Sequence, residues 1–133
     1  MVAHCYDGCP EGAEDSNHLI VRPTYALSYN TITKSADWVA YKLSPGSIGI
    51  ASSLSRAAVR DDYVEDILQE VDFLGSEGLG LERSRYVSLV DFAGTPLWSD
   101  VNYLTNSVAR TKSLSQGAWN GLDWLIRNNV NRQ

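Results

Sequence analysis

Ser113-Leu114-Ser115-Gln116-Gly117-Ala118-Trp119-Asn120-Gly121-Leu122-Asp123-Trp124-Leu125-Ile126-Arg127-Asn128 is the most regular stretch of the chain. It opens on Ser-x-x-Gln, a pattern in which the serine side chain takes an orphan backbone N–H and the glutamine reaches back to close the turn. Ser113 is the expected N-cap. Trp119, Leu122, Leu125 and Ile126 then recur at helical spacing and form one apolar stripe. The spacing predicts a helix over 114–128, with that stripe turned into a core.

The pattern changes toward the N-terminus. His18 to Tyr29 is rich in β-branched and aromatic residues, with Pro23 in its middle. Proline cannot donate to a ladder, so this is an edge strand or a strand broken at that point. Residues 30–34 supply a polar turn and 37–43 read as a second strand, giving an antiparallel hairpin within residues 1–45. The Ser/Gly-rich stretch 44–55 reads as a long surface loop. Over 61–74, Val64, Ile67, Leu68 and Val71 mark an amphipathic helix. Seven acidic residues and no basic one lie between Asp61 and Glu77. No EF-hand order of ligands is present, so the acids read as a solvated helix face. Gly78-Leu79-Gly80 lacks the third glycine of a dinucleotide fingerprint. Strands followed by helices place the chain in the α+β class: an antiparallel sheet with a C-terminal helix packed on it.

The 133 residues argue for a single domain. No apolar run approaches the roughly 20 residues of a membrane span, and no charged and then apolar segment opens the chain as a secretory signal does. A membrane partner is not expected. The net charge of −5 disfavours a generic, salt-driven nucleic-acid binder. The charge is uneven, however: residues 1–79 carry 12 acidic and 5 basic side chains, residues 80–133 carry 4 and 6. Cys5 and Cys9 flank an Asp-Gly turn dipeptide, which favours a local disulfide over two free thiols, and two sulfurs fall short of a zinc site. A disulfide would in turn favour an extracellular or particle-associated protein.

Five stretches, taken in order, resemble the DNA/RNA non-specific endonucleases, the sugar-non-specific family with a ββα-metal active site. They are 5–10, Asp37-Trp38-Val39-Ala40-Tyr41, 89–94, Asn102-Tyr103-Leu104-Thr105-Asn106 and Leu114-Ser115-Gln116-Gly117-Ala118-Trp119. The resemblance runs from Cys5 to about Arg127 and implies a truncated ββα-metal fold, with its motif over 80–130. It also implies a chemistry: an Asp-Arg-Gly-His motif supplies a histidine general base, and an asparagine on the helix holds one Mg²⁺ that stabilises charge on the phosphate.

The sequence departs from that pattern at both places. The four motif positions read Glu82-Arg83-Ser84-Arg85, so Arg85 stands where the histidine belongs. A guanidinium titrating above about 12 cannot act as a base, and it repels a dication. Ser115 stands at the metal-binding asparagine, and a neutral hydroxyl is a poorer Mg²⁺ ligand. Other positions match: Arg83 the phosphate-directed arginine, Asn106 a polar active-site asparagine, and Asp123 a glutamate that organises the metal's water shell. Arg56 aligns loosely with a further phosphate-contacting arginine. His4 and His18 both lie far from the motif in sequence. The expectation is a catalytically inactive nuclease-like protein, reused as a structural or interaction module in a larger assembly such as a virion. It would need no cofactor and would pair with other proteins or with itself. The alternatives are a divergent Mg²⁺-dependent endonuclease and a non-cleaving nucleic-acid binder using Arg83, Arg85, Arg110 and Lys112.

Overall fold

The computed structural model describes residues 4–5, 8–12, 17–61, 64 and 80–132. The expected acidic helix at 61–74 falls outside these, apart from Asp61 and Val64.

Two antiparallel sheets and a C-terminal helical arm make up the described chain. The first sheet has the order β1–β2–β3, from His18–Val21, Tyr25–Asn30 and Ser35–Tyr41. The single strand expected over 18–29 is therefore two. Pro23 sits in the reversal between them, where the Arg22 N–H donates to the Tyr25 carbonyl, and Ile20 comes to face Leu27 across the ladder. Strand β2 is central and almost wholly enclosed. Tyr25, Leu27 and Tyr29 share one face at the strand's two-residue period and have no solvent exposure. They join Val87, Leu89, Phe92, Val101 and Leu104 in the core, and Val64 packs there too. The second sheet pairs β4 (Leu81–Arg85) with β5 (Ser107–Thr111).

Between β4 and β5 the chain makes a short helix, α1 (Leu89–Phe92), and two 3-10 turns at Trp98–Asn102 and Leu104–Asn106. The loop over 44–55 lies against the end of α1: the Gly49 N–H donates to Val90 O at 3.1 Å and the Gly94 N–H to Ser47 O at 2.9 Å. A Cβ on Gly49 would stand 2.5 Å from the Gly94 nitrogen, so this crossing needs glycine. Ser47 and Ala51 are buried there, so the stretch is more than a surface loop.

Three expectations for the C-terminal region are corrected. First, the helix is two: α2 (Lys112–Gln116) and α3 (Ala118–Asn131), divided at Gly117. Second, Thr111 rather than Ser113 is the N-cap, its hydroxyl accepting from the Leu114 N–H at 3.2 Å. Strand β5 runs straight into the helix, so the last strand residue takes the capping place. Third, the apolar stripe is not core: Leu122 is 50% exposed and Leu125 55%, and no residue of α3 is buried. The reading of Asp61 as a solvated acid is also corrected. It is wholly buried, pairs with Arg22 and accepts from the Thr105 hydroxyl.

Candidate functional site: an arginine-lined cleft

Strand β4 sets out the motif positions at the strand's alternating period. Ser84 faces inward and is buried, while Arg83 and Arg85 flank it. The adjacent strand β5 contributes Arg110, opposite Glu82 in the register. With α2 and α3 they enclose an open cleft of about 240 Å³, lined by Arg56, Arg83, Arg85, Arg110, Ser115 and Asp123 among others. The topology thus gathers residues spread over 67 positions of sequence into one place.

Arg56 arrives on an irregular segment held by specific bonds. Asn102 Nδ2 donates to Ser55 O at 2.8 Å, Val59 N to Asn102 O at 2.9 Å and Leu104 N to Val59 O at 2.8 Å. The Arg56 carbonyl is then fixed as an acceptor shared by two guanidinium groups: Arg83 Nη2 donates to it at 2.7 Å and Arg85 Nη2 at 3.0 Å. Arg85 Nη2 also donates to Asn102 Oδ1 at 2.9 Å. Arg85 O accepts from Arg110 Nη1 at 2.9 Å, and the Arg110 guanidinium stacks 3.7 Å from the Trp119 ring centre.

No carboxylate within ion-pair range answers Arg83 or Arg85 among the described residues. Burial, and then the neighbouring charges of Arg83 and Arg56, bring the Arg85 guanidinium down to about 10. It remains a cation at neutral pH. Arg83 Nη1 and Arg85 Nε are buried with no hydrogen-bond partner among the described residues. On the other wall, burial raises the Asp123 carboxyl, and Arg127 and Arg110 oppose that shift.

Arg83, Arg85, Ser115 and Asp123 all line this cleft, as does Arg56. Asn106 does not. Its amide is wholly buried and fully engaged: Oδ1 accepts from Val87 N at 3.0 Å, while Nδ2 donates to Val87 O and Val101 O at 3.0 and 2.9 Å. It clamps the two ends of the β4–β5 connection. Neither histidine lines the cleft; His4 Nε2 lies 2.6 Å from Arg22 O and His18 is exposed. Asn102, the anchor of both Arg85 and the Arg56 segment, belongs to a quoted motif but was not singled out as a site residue. Its only signal was its place at the head of Asn-Tyr-Leu-Thr-Asn.

The chain is 34% identical to the nuclease of Serratia marcescens over 134 residues, an alignment covering 98% of this chain and 49% of that protein. It is a homologue of that nuclease. The fold agrees: a chain in the crystal structure of the EndoG/EndoGI complex superposes with a TM-score of 0.75 at 19% identity, over 97% of this chain and 51% of that one. No family model matches. This nuclease homologue thus spans about half the length of the Serratia protein. Its mixed α+β architecture, antiparallel sheets with a C-terminal helix, matches the fold of the chain in the EndoG/EndoGI structure.

The Mg²⁺ that the resemblance implies does not fit the donor set. At the asparagine position the Ser115 hydroxyl is 2.8 Å from Ser84 Oγ and hydrogen-bonded to it. Four arginines line the cleft against two carboxylates, Glu82 and Asp123. Among the described residues, no group of three or more His, Cys, Asp or Glu side chains is placed to hold a metal. A dication entering here meets guanidinium charge where it needs oxygen ligands.

The expected Cys5–Cys9 disulfide is present, its Cα atoms 4.9 Å apart. Among the described residues no helix is long and apolar enough to cross a membrane.

Proposed function

We propose that this nuclease homologue is catalytically silent and works as a binding or structural module. One observation carries the reading: the base position holds Arg85, still cationic at pH 7 and fastened to Arg56 O and Asn102 Oδ1. A permanently protonated group takes no proton from an attacking water. The engaged Ser115 hydroxyl supports the same conclusion for the metal.

Work through contact also accords with the C-terminal arm. Trp124 (59% exposed), Leu122 and Leu125 present apolar surface along α3. Such a patch suits a protein partner or a second copy of the chain within a larger assembly. The disulfide favours an oxidising location, outside the cell or on a particle.

The test of silence is direct. Purified protein is incubated with plasmid DNA and with RNA, in Mg²⁺ or Mn²⁺ and again with chelator. No cleavage above background is expected in any arm. Metal-dependent cleavage that Asp123→Ala abolishes would overturn the proposal and establish the divergent-nuclease alternative. For the module role, solution mass is the measurement: a species larger than 14.7 kDa is expected, or one that becomes larger with its partner.

A further inference from the structure

Strand β3 is an edge: it pairs with β2 on one side, and among the described residues no strand lies on the other. Its sequence, Ser35-Ala36-Asp37-Trp38-Val39-Ala40-Tyr41, holds one charge and neither proline nor glycine. Apart from that charge and the bulge that carries it, nothing in the strand resists the addition of another. Along this edge runs an apolar groove of about 280 Å³, lined on the β3 side by Val39 and Tyr41 and on the helical arm by Trp119, Leu122 and Ile126. The exposed stripe of α3 and the open edge of β3 are thus one continuous surface. A strand added beside β3, about 4.8 Å away, would lie over the groove and cover both.

We propose that a second copy of the chain docks on this surface, through antiparallel pairing of the two β3 strands about a two-fold axis. The inference rests on the module reading above and names its partner. Self-complementary charge selects a second copy over an unrelated strand. Asp37, the extra residue of a bulge opposite Ser28 and Tyr29, stands near one end of β3, and Lys42 directly follows the other. Both are exposed. Five residues of extended chain, about 17 Å, keep them apart within one copy. Pairing centred on Ala40 sets Lys42 of each copy across from the Asp37-Trp38 step of the other, where it meets a carboxylate and an aromatic ring. The two-fold repeats the contact, so an ion pair stands at each end of the join. Val39 then faces Tyr41 of the other copy on the groove side, and two three-stranded sheets become one of six strands.

Sedimentation velocity of the oxidised full chain at low salt, over a range of concentrations, tests this. A reversible monomer–dimer equilibrium is expected, ending at twice 14.7 kDa. Asp37→Lys and Lys42→Asp each set like charges opposite one another at both ends of the join and should weaken association at least about fivefold. Leu122→Glu, which places a charge in the groove, should do the same. Mixing Asp37→Lys with Lys42→Asp is the decisive arm. Their heterodimer restores both ion pairs with the signs exchanged, so it should form more tightly than either variant forms with itself. Effects confined to one chain cannot produce that rescue, and circular dichroism checks that each variant is folded. A chain that stays monomeric at every concentration overturns the proposal, as does a dimer indifferent to both reversals or a mixture that fails to associate. Plasmid cleavage is read separately. A monomer without nuclease activity strikes the second copy and leaves catalytic silence standing; a dimer that cleaves does the reverse.

Discussion

Buried Asp61 shows how far one side chain can depart from the character of its neighbourhood. It sits at the head of the acidic stretch, yet is wholly enclosed and bonded to Arg22 and Thr105. The Arg22 guanidinium stacks 3.6 Å from the Tyr103 ring centre, so the pair ties β1 to the loop that precedes β5. Removing one member of such a pair leaves the other's charge enclosed. Asp61→Ala should cost about 3–5 kcal/mol in denaturant unfolding. Asn106→Ala should cost about 2–4 kcal/mol, because Val87 N, Val87 O and Val101 O each lose a buried side-chain partner. Asp91 gives a pH signature. Burial raises its carboxyl, with Arg127, 3.3 Å away, opposing the shift. A carboxyl raised on folding binds its proton more tightly in the native state. Its contribution is therefore complete below the unfolded value of about 4 and is lost as pH rises through the native one. The difference in melting temperature between the protein and Asp91→Asn should fall as pH rises from about 4 through that window; a flat difference would show that the carboxyl is not shifted.

At the level of elements, the two halves of the molecule have unequal packing. Strand β2 is enclosed, and Leu27→Ala should cost about 2–5 kcal/mol. Helix α3 carries an apolar stripe of its own, but none of its residues is fully enclosed. Leu122→Ala and Leu125→Ala should each change stability by less than about 0.5 kcal/mol in the isolated chain. A larger loss at α3 would mean that another copy already covers it. The helical period was legible in the sequence, because 3.6-residue spacing is a local property. What the stripe faces was not, since periodicity reports a side and not a neighbour. The same limit explains the N-cap: Ser113-Leu114-Ser115-Gln116 carries a valid capping pattern, but β5 delivers the chain into α2 two residues earlier. Pro23 signalled a break in the first strand, and the structure turns that break into a reversal.

Over the whole molecule, the candidate site brings together a strand motif, its hairpin partner, a helical arm and a loop residue more than 25 positions upstream. Arg83, Arg85, Ser115 and Asp123 were legible because ordered motifs of a known family carry them. Arg56 was less so, since nothing regular surrounds it; Asn102 and Val59 hold it by bonds across sequence gaps of about 45 residues. By itself the sequence determined the α+β class, the hairpin and the helical arm, because each follows from local spacing; that Arg85 and Ser115 stand at a base and a metal position is what the family resemblance implies. Only the tertiary structure decided that two guanidinium groups share one carbonyl, that Asn106 is a clamp and that the apolar stripe is left exposed. Those are properties of what lies opposite a side chain, and no local pattern encodes the far side of a contact.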